Sequence, residues 1–247
     1  MKVIYHEDFL QSYCGDPAAA EGRIDAVLEV LGDSVTFIEA VPADVEDISA
    51  CHTEYHIDHI KRMGLYHIAA LAAGGAVQAA TIGLTEPCFG LIRPPGHHAS
   101  ANSAWGFCFF SNMAIAIAKL KREKKIEKAF ILDVDLHFGD GTVNLLGNTD
   151  YVTICNPSGG DPLRYMREVD QVLPDDADII GISAGFDNHE ADWGGLLSTN
   201  DYREIGKMVC EASRRSRGGC FAILEGGYNH SVLGQNVKAL IEGMEQG

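Results

Sequence analysis

The amino-acid sequence predicts an α/β fold in which a parallel sheet is covered by helices on both faces. Seven short apolar runs are typical of strands, most of them are separated by stretches with helical periodicity, and the strand candidates are continuously apolar. Continuous apolar strands are characteristic of parallel sheets, because both faces of such a sheet are buried.

The predicted strands are distributed along the whole chain. They comprise residues 2–5, 36–39, 89–92, 129–133, 151–154, 178–183 and 220–224. Helices are predicted between most of them, at residues 21–31, 54–63, 111–124, 202–215 and 232–242. The chain has no internal repeat and no Pro/Ser-rich linker, so we expect residues 1–247 to form one domain.

Composition narrows the class of protein. The formal net charge of −16 argues against general binding to nucleic acid, because neutralising phosphates requires Lys and Arg. The seven cysteines form no CxxC pair, so neither a disulfide framework nor a thiolate zinc site is indicated. The start of the chain, MKVIYHEDF, has neither a charged leader nor an apolar signal core, and this favours a cytoplasmic location.

One uncharged segment, residues 64–84, is long enough to span a bilayer. It consists mainly of Ala and Gly rather than the Leu, Ile and Phe that favour membrane insertion. We therefore expect a buried helix or helix pair there, and no membrane association.

Four polar motifs follow predicted strands, where open parallel sheets bind their ligands. The first motif ends in His97 and His98, after the stiff turn at residues 93–96. An imidazole with a hydrogen-bond partner can act as general base or acid near pH 7. Taken alone, the pair is better explained as histidines that lie at the surface or anchor a loop.

The second motif places Asp133, Asp135, His137 and Asp140 within eight residues. In an extended segment the first three alternate by two and would share one face. Carboxylates buried this close together would repel one another without a cation, so the motif favours a metal site over a solvated acidic turn.

The third motif contributes Asp187, just after the predicted strand at 178–183. With Asp135 and His137 it completes the three protein ligands that are typical of a catalytic zinc site. By itself, Asp187 would suit a helix cap or a turn equally well.

The fourth motif presents Tyr228 after two glycines that permit a sharp turn. A phenol at that position can donate a hydrogen bond to a developing oxyanion. When the motif is considered alone, a packing tyrosine with its hydroxyl at the surface is the better interpretation.

Two other groups have structural interpretations. His52, His56 and His59 are expected on the surface of a helix rather than in a metal cluster. Cys108 is not expected to act as a nucleophile, because its motif contains no base to activate the thiol.

Together the motifs resemble the histone deacetylase family, which includes acetylpolyamine amidohydrolases and bacterial deacetylase-like proteins. The resemblance extends from about residue 5 to the final helix. It depends on the segments RPPGHHA (93–99), GFCFFSN (106–112), DVDLHFGDG (133–141), GFDNHEAD (185–192) and EGGYN (225–229).

The resemblance implies a three-layer α/β/α fold of the arginase/deacetylase type around a mostly parallel sheet, and metal-dependent hydrolysis of N-acetyl or other N-acyl amides. It also implies a role for each matching residue: Asp135, His137 and Asp187 as metal ligands, His97 and His98 as a catalytic pair oriented by Asp133 and Asp140, Tyr228 as the oxyanion donor, and Gly106 and Phe107 as part of the substrate channel.

One divalent ion is expected. Zn²⁺ is the first choice, but two oxygen ligands and one nitrogen also suit Fe²⁺, Co²⁺ or Mn²⁺. The resemblance further implies a structural potassium ion near Asp133, Asp135 and His137. It suggests His98 as the general base, although the sequence does not separate the roles of the two histidines.

The chain departs from the family pattern at three places. Phe138 stands where a second histidine is common, Trp193 stands where proline is common, and residues 156–162 lack an aromatic residue opposite Phe107. The physiological substrate therefore stays open among acetyl-lysine, acetylpolyamines and small acylated amines.

Two other functions remain as alternatives: a ureohydrolase with two metals, and an acyl-binding module without turnover. The sequence does not indicate an oligomeric state.

Overall fold

One seven-stranded sheet forms the centre of the computed structural model, which describes residues 1–247. Its strands are β1 (Lys2–Tyr5), β2 (Thr36–Glu39), β3 (Cys88–Gly90), β4 (Ala129–Asp133), β5 (Val152–Cys155), β6 (Ile179–Ala184) and β7 (Gly219–Leu224). All neighbouring strands are parallel, in the order β2-β1-β3-β7-β6-β4-β5. The predicted parallel sheet is confirmed.

Nine α-helices accompany the sheet: α1 (Arg23–Leu31), α2 (Val45–Ser49), α3 (Glu54–Arg62), α4 (Tyr66–Gly83), α5 (Asn112–Arg122), α6 (Asp140–Leu146), α7 (Pro162–Val172), α8 (Thr199–Ser216) and α9 (His230–Gln246). In one group α4 packs on β1, β3 and β7, and α5 packs on α4. In the other group α8 packs on β6 and β7, and α9 joins α8 to α1. The fold is the expected α/β arrangement of a sheet between helices.

The uncharged segment forms a single helix, α4, and most of its residues are buried. Its small Ala and Gly side chains let it pack closely between the sheet and α5. No helix in the protein is both long enough and apolar enough to cross a membrane.

Some predicted elements differ from the structure. Residues 36–39 were expected to form a buried strand, but β2 lies at the sheet edge, pairs only with β1 and leaves Phe37 exposed. Helix α7 was not predicted; only Tyr165 and Val169 of its eleven residues are buried, so its apolar face is narrow. It begins after Asp161, whose side chain accepts a hydrogen bond from the backbone of Arg164.

Candidate active site

The four motifs meet because the strands that precede them are consecutive in the sheet. The loops after β3, β7, β6 and β4 carry the histidine pair, Tyr228, Asp187 and the Asp135–His137 segment respectively. Carboxyl ends of parallel strands lie at one edge of a sheet. Side chains that are far apart in sequence therefore converge above the middle of that edge.

Asp135, His137 and Asp187 place their donor atoms within 4.8 Å of one another. Nδ1 of His137 lies 3.2 Å from Oδ1 of Asp135 and 3.1 Å from Oδ2 of Asp187. The second oxygen of Asp135 accepts a hydrogen bond of 2.8 Å from the backbone N–H of Gly226. Only glycine fits there, because a Cβ at position 226 would lie 2.5 Å from Asp135 and 2.8 Å from Asp187.

The chain between Asp133 and Asp140 is not extended as the alternation predicted. Strand β4 ends at Asp133, and Asp135 and His137 lie in the bend that follows. Side chains hold the bend: Oδ1 of Asp133 accepts from the backbone N–H of Asp135, and Oδ1 of Asp135 accepts from that of His137. The bend therefore brings Asp135 and His137 together, in place of the shared strand face.

Each member of the histidine pair is hydrogen-bonded to a carboxylate. Nδ1 of His97 lies 3.0 Å from Asp133, and Nδ1 of His98 lies 2.7 Å from Asp140. Both imidazoles are buried, with ring centres 4.0 Å apart. Because each Nδ1 atom is bonded to a carboxylate, each Nε2 atom remains available for acid–base chemistry. Nε2 of His97 lies 3.7 Å from Asp135.

The two histidines differ in charge. Burial would lower the pKa of His97, but Asp135 and Asp133 outweigh it and raise the pKa well above the ordinary value. Burial and the neighbouring His97 lower the pKa of His98 to about 4, against the opposing effect of Asp140. Without a cation in the site, His97 is therefore the charged partner and His98 the neutral one.

Tyr228 closes the side of the site that faces β7. Its ring meets Phe107 edge-on at 5.8 Å and stacks on Trp193 at 4.1 Å. Oδ2 of Asp192 accepts hydrogen bonds of 2.8 Å from the backbone N–H groups of Tyr228 and Asn229, which fixes the turn. Burial raises the pKa of the phenol, so it stays protonated and able to donate.

These groups line a cavity of about 250 Å³. Its walls are Pro95, His97, His98, Trp105, Gly106, Phe107, His137, Trp193 and Tyr228. The wall missing from residues 156–162 is supplied by Trp193 and Trp105, the only two tryptophans in the chain. Gly106, at a φ of +56°, lies against His98, and a Cβ there would overlap the imidazole.

A sequence model of the histone deacetylase domain matches residues 18–157 and 166–244. The chain belongs to the histone deacetylase family. Members of this family are typically metal-dependent, and the cluster of Asp135, His137 and Asp187 agrees with that property.

Relatives of this deacetylase-family chain include prokaryotic proteins. A probable deacetylase of Archaeoglobus fulgidus is 28% identical over 92% of this chain and 81% of its own length. A histone deacetylase-like amidohydrolase of Pseudomonas aeruginosa is 27% identical over 85% of this chain and 71% of its own. The crystal structure of the HDA15 HD domain has the same fold, with a TM-score of 0.82 at 23% identity over 99% of this chain and 89% of that one. The sequence relatives support a deacetylase or amidohydrolase activity.

No role was predicted for Glu225, although it is the first residue of the EGGYN segment. The buried Oε2 atom of Glu225 accepts hydrogen bonds from the backbone N–H groups of Gly96, at 2.6 Å, and His97, at 3.2 Å. Burial raises the pKa of Glu225 to about 7. Glu225 thus anchors the loop that carries His97 and His98 by accepting hydrogen bonds from its backbone.

His52 and His56 are buried, so the prediction of a surface position is wrong for both. They hydrogen-bond backbone groups of Ser100, Phe109 and Ser111, and so fix both ends of the loop that carries Trp105 to Cys108. His59 lies on the exposed face of α3, as expected. The ring nitrogens of His52, His56 and His59 do not all lie within 4.8 Å of one another.

Cys108 is buried, and burial raises the pKa of its thiol well above the ordinary value. Its sulfur accepts a hydrogen bond of 3.4 Å from the backbone N–H of His98. A neutral, buried thiol of this kind packs against the loop and is a poor nucleophile.

Proposed function

We propose that this protein hydrolyses N-acetyl or other N-acyl amides of amines, with Asp135, His137 and Asp187 holding one divalent ion. The amine is an acetylated lysine side chain, an acetylpolyamine or a small acylated amine. The observation that carries the proposal is the convergence of two His–Asp pairs and a protonated tyrosine on the cavity next to this cluster.

The donor set fits a divalent cation. Oδ2 of Asp187 is buried and, apart from its contact with Nδ1 of His137, has no hydrogen-bond partner, which is costly for a carboxylate unless a cation compensates it. Two carboxylates and one imidazole suit Zn²⁺, which we expect, and also Fe²⁺, Co²⁺ or Mn²⁺. On β6, Oγ of Ser183 is also buried without a partner beside Asp133, which supports the potassium ion that the family resemblance implies.

A divalent ion bound there would polarise the amide carbonyl and lower the pKa of water. We assign the base to His98, because it is neutral and its Nδ1 proton is directed to Asp140. Nε2 of His98 would take the proton from the attacking water and then deliver it to the departing amine. His97, whose Nδ1 is hydrogen-bonded to Asp133, would stabilise negative charge that develops on the substrate.

Tyr228 would donate its phenol O–H to the oxyanion of the tetrahedral intermediate. A preorganised donor of this type contributes about 3 kcal/mol to transition-state stabilisation. Stacking against Trp193 and the edge contact with Phe107 limit the motion of the ring, so little reorganisation is needed.

The chain is poorly suited to the two-metal ureohydrolase alternative. A second ion beside the first would need another free carboxylate, and Asp133 is the nearest candidate. One oxygen of Asp133 is bonded to His97, and the other accepts from the backbone of Asp135. We therefore assign Asp133 to the orientation of His97 rather than to a second metal.

Acetate release from a panel of acetyl-lysine peptides, acetylpolyamines and small N-acetyl amines tests the proposal. Protein loaded with Zn²⁺, Fe²⁺ or Co²⁺ should release acetate, and the preferred amine would identify the substrate class. Binding of acetylated ligands without acetate release under any metal would instead establish the non-catalytic module.

A further inference from the structure

Trp105 makes an unusual set of contacts for a side chain at the protein surface. Its side chain is 54% exposed, yet its indole Nε1–H donates to both oxygens of Asp140, at 2.9 and 3.1 Å. The indole ring also stacks on His98, with ring centres 3.7 Å apart and an interplanar angle of 30°. Both the indole N–H and the indole ring of Trp105 therefore make specific contacts, with Asp140 and His98 respectively.

Asp140 links this tryptophan to the histidine. Its Oδ1 atom lies 2.7 Å from Nδ1 of His98 and also receives the longer branch of the indole bond. Two side-chain donors thus share one carboxylate. Without the indole, rotation of the Asp140 side chain would be limited mainly by His98, the group that it has to orient.

The stacked ring also covers one face of the His98 imidazole, which lines the cavity. The carboxylate of Asp140 stays partly exposed, so its orientation depends on the fixed donors that it accepts from. The loop that bears Trp105 is fixed at its two ends by His52 and His56, so the position of the ring is maintained.

We propose that Trp105 is a positioning residue that, through its indole N–H, holds Asp140 in the orientation that directs His98 toward the substrate. Its effect on turnover rests on the proposed amidohydrolase function. The contact itself does not depend on turnover, so it can be tested separately.

Trp193 provides a matched control, because it is also 54% exposed at the same mouth. It stacks on Tyr228, but its indole nitrogen has no hydrogen-bond partner in the protein. In a ¹H–¹⁵N NMR spectrum the chain should show two indole signals, assigned by Trp105→Phe and Trp193→Phe. In the wild-type protein, the Trp105 indole proton should exchange with water about tenfold more slowly than that of Trp193. Asp140→Asn should shift the Trp105 signal and leave the Trp193 signal in place.

Equal exchange rates for the two indoles, or a Trp105 signal that is insensitive to Asp140→Asn, would overturn the proposal. The exchange comparison uses the wild-type protein, so it does not depend on the folding of a variant. It also remains decisive if no acetylated substrate is turned over.

Kinetics provide the second test. Trp105→Phe keeps a stacking ring and removes the N–H, so kcat should fall about tenfold with little change in KM. In the Asp140→Ala background the same substitution should have no further effect, because the acceptor that Trp105 positions is already removed. A full tenfold loss in both backgrounds, or an unchanged kcat in the single variant, would contradict the assignment.

Discussion

Oδ2 of Asp187 lies 3.1 Å from Nδ1 of His137, although the two residues follow different strands, β6 and β4. Burial and the nearby Asp135 raise the pKa of Asp187 to about 6. The carboxylates of Asp135 and Asp187 raise the pKa of His137 to about 10. At neutral pH His137 therefore carries a proton close to Asp135 and Asp187, and a metal ion bound there would replace that proton.

Metal binding should release protons and weaken as the pH falls. A metal needs neutral His137 and ionised Asp187, so binding at pH 7 must displace the proton from His137. Below pH 6 protonation of Asp187 adds a second competitor. Calorimetry in two buffers of different ionisation enthalpy should show the release of about one proton at pH 7. A metal affinity that stays constant between about pH 5.5 and about pH 8 would contradict this prediction.

Tyr228→Phe should lower kcat by ~10²-fold with little effect on KM. The substitution removes the donor to the oxyanion, a contribution of about 3 kcal/mol, and keeps the ring that stacks on Trp193. Steady-state kinetics at saturating metal would measure it, with thermal unfolding as the control for folding. A variant with wild-type kcat would remove Tyr228 from the mechanism.

His98 should matter more than His97. Loss of a general base costs ~10³-fold in kcat, so His98→Ala should lose about that much, whereas His97→Asn should lose less. The reason is that His98 is neutral and its Nε2 is ready to accept a proton, whereas Nε2 of His97 lies 3.7 Å from Asp135. Matched kinetics of the two variants decide the assignment, and a larger loss in His97→Asn would reverse it.

Trp193 should contribute to substrate binding rather than to chemistry. Trp193→Ala opens the wall beside Tyr228 and should raise KM about fivefold, the equivalent of about 1 kcal/mol of aromatic contact. Phe138→Ala is the control, because Phe138 is exposed and does not line the cavity. Equal changes in KM for the two variants would show that the cavity wall lies elsewhere.

Glu225 should stabilise the histidine loop through its acceptor oxygen. Glu225→Ala leaves the backbone N–H groups of Gly96 and His97 without an acceptor, at a cost of about 2 kcal/mol in the free energy of unfolding. Glu225→Gln keeps an acceptor of the same length and should lose less. Urea unfolding of both variants measures the difference, and equal losses would mean that packing, not the hydrogen bonds, accounts for the effect.

The sequence predicted the parallel sheet and the motifs at its strand ends because both depend on local patterns. It could not predict that β3, β7, β6 and β4 are consecutive, because strand order depends on long-range pairing. The same limit applies to Trp105, whose role depends on Asp140, 35 residues away. His52 and His56 were placed on the surface for a related reason: their partners lie in the loop at residues 100–111.

Correct placement of the Asp135–His137 segment also required tertiary contacts. Alternation by two predicted a shared strand face, but the strand ends at Asp133 and hydrogen bonds from the following backbone to Asp133 and Asp135 create a bend. The residue types were therefore a better guide to the site than the assumed local conformation.

Acetate release measured during a metal titration tests the central claim most directly. Metal-free protein would be mixed with increasing Zn²⁺ or Co²⁺ and the best substrate of the panel, beside Asp187→Ala as the control. The rate should rise to a plateau at about one metal ion per chain, and Asp187→Ala should show no comparable rise. A plateau only at two ions per chain, or acetate release that is independent of both metal and Asp187, would contradict a single-metal amidohydrolase.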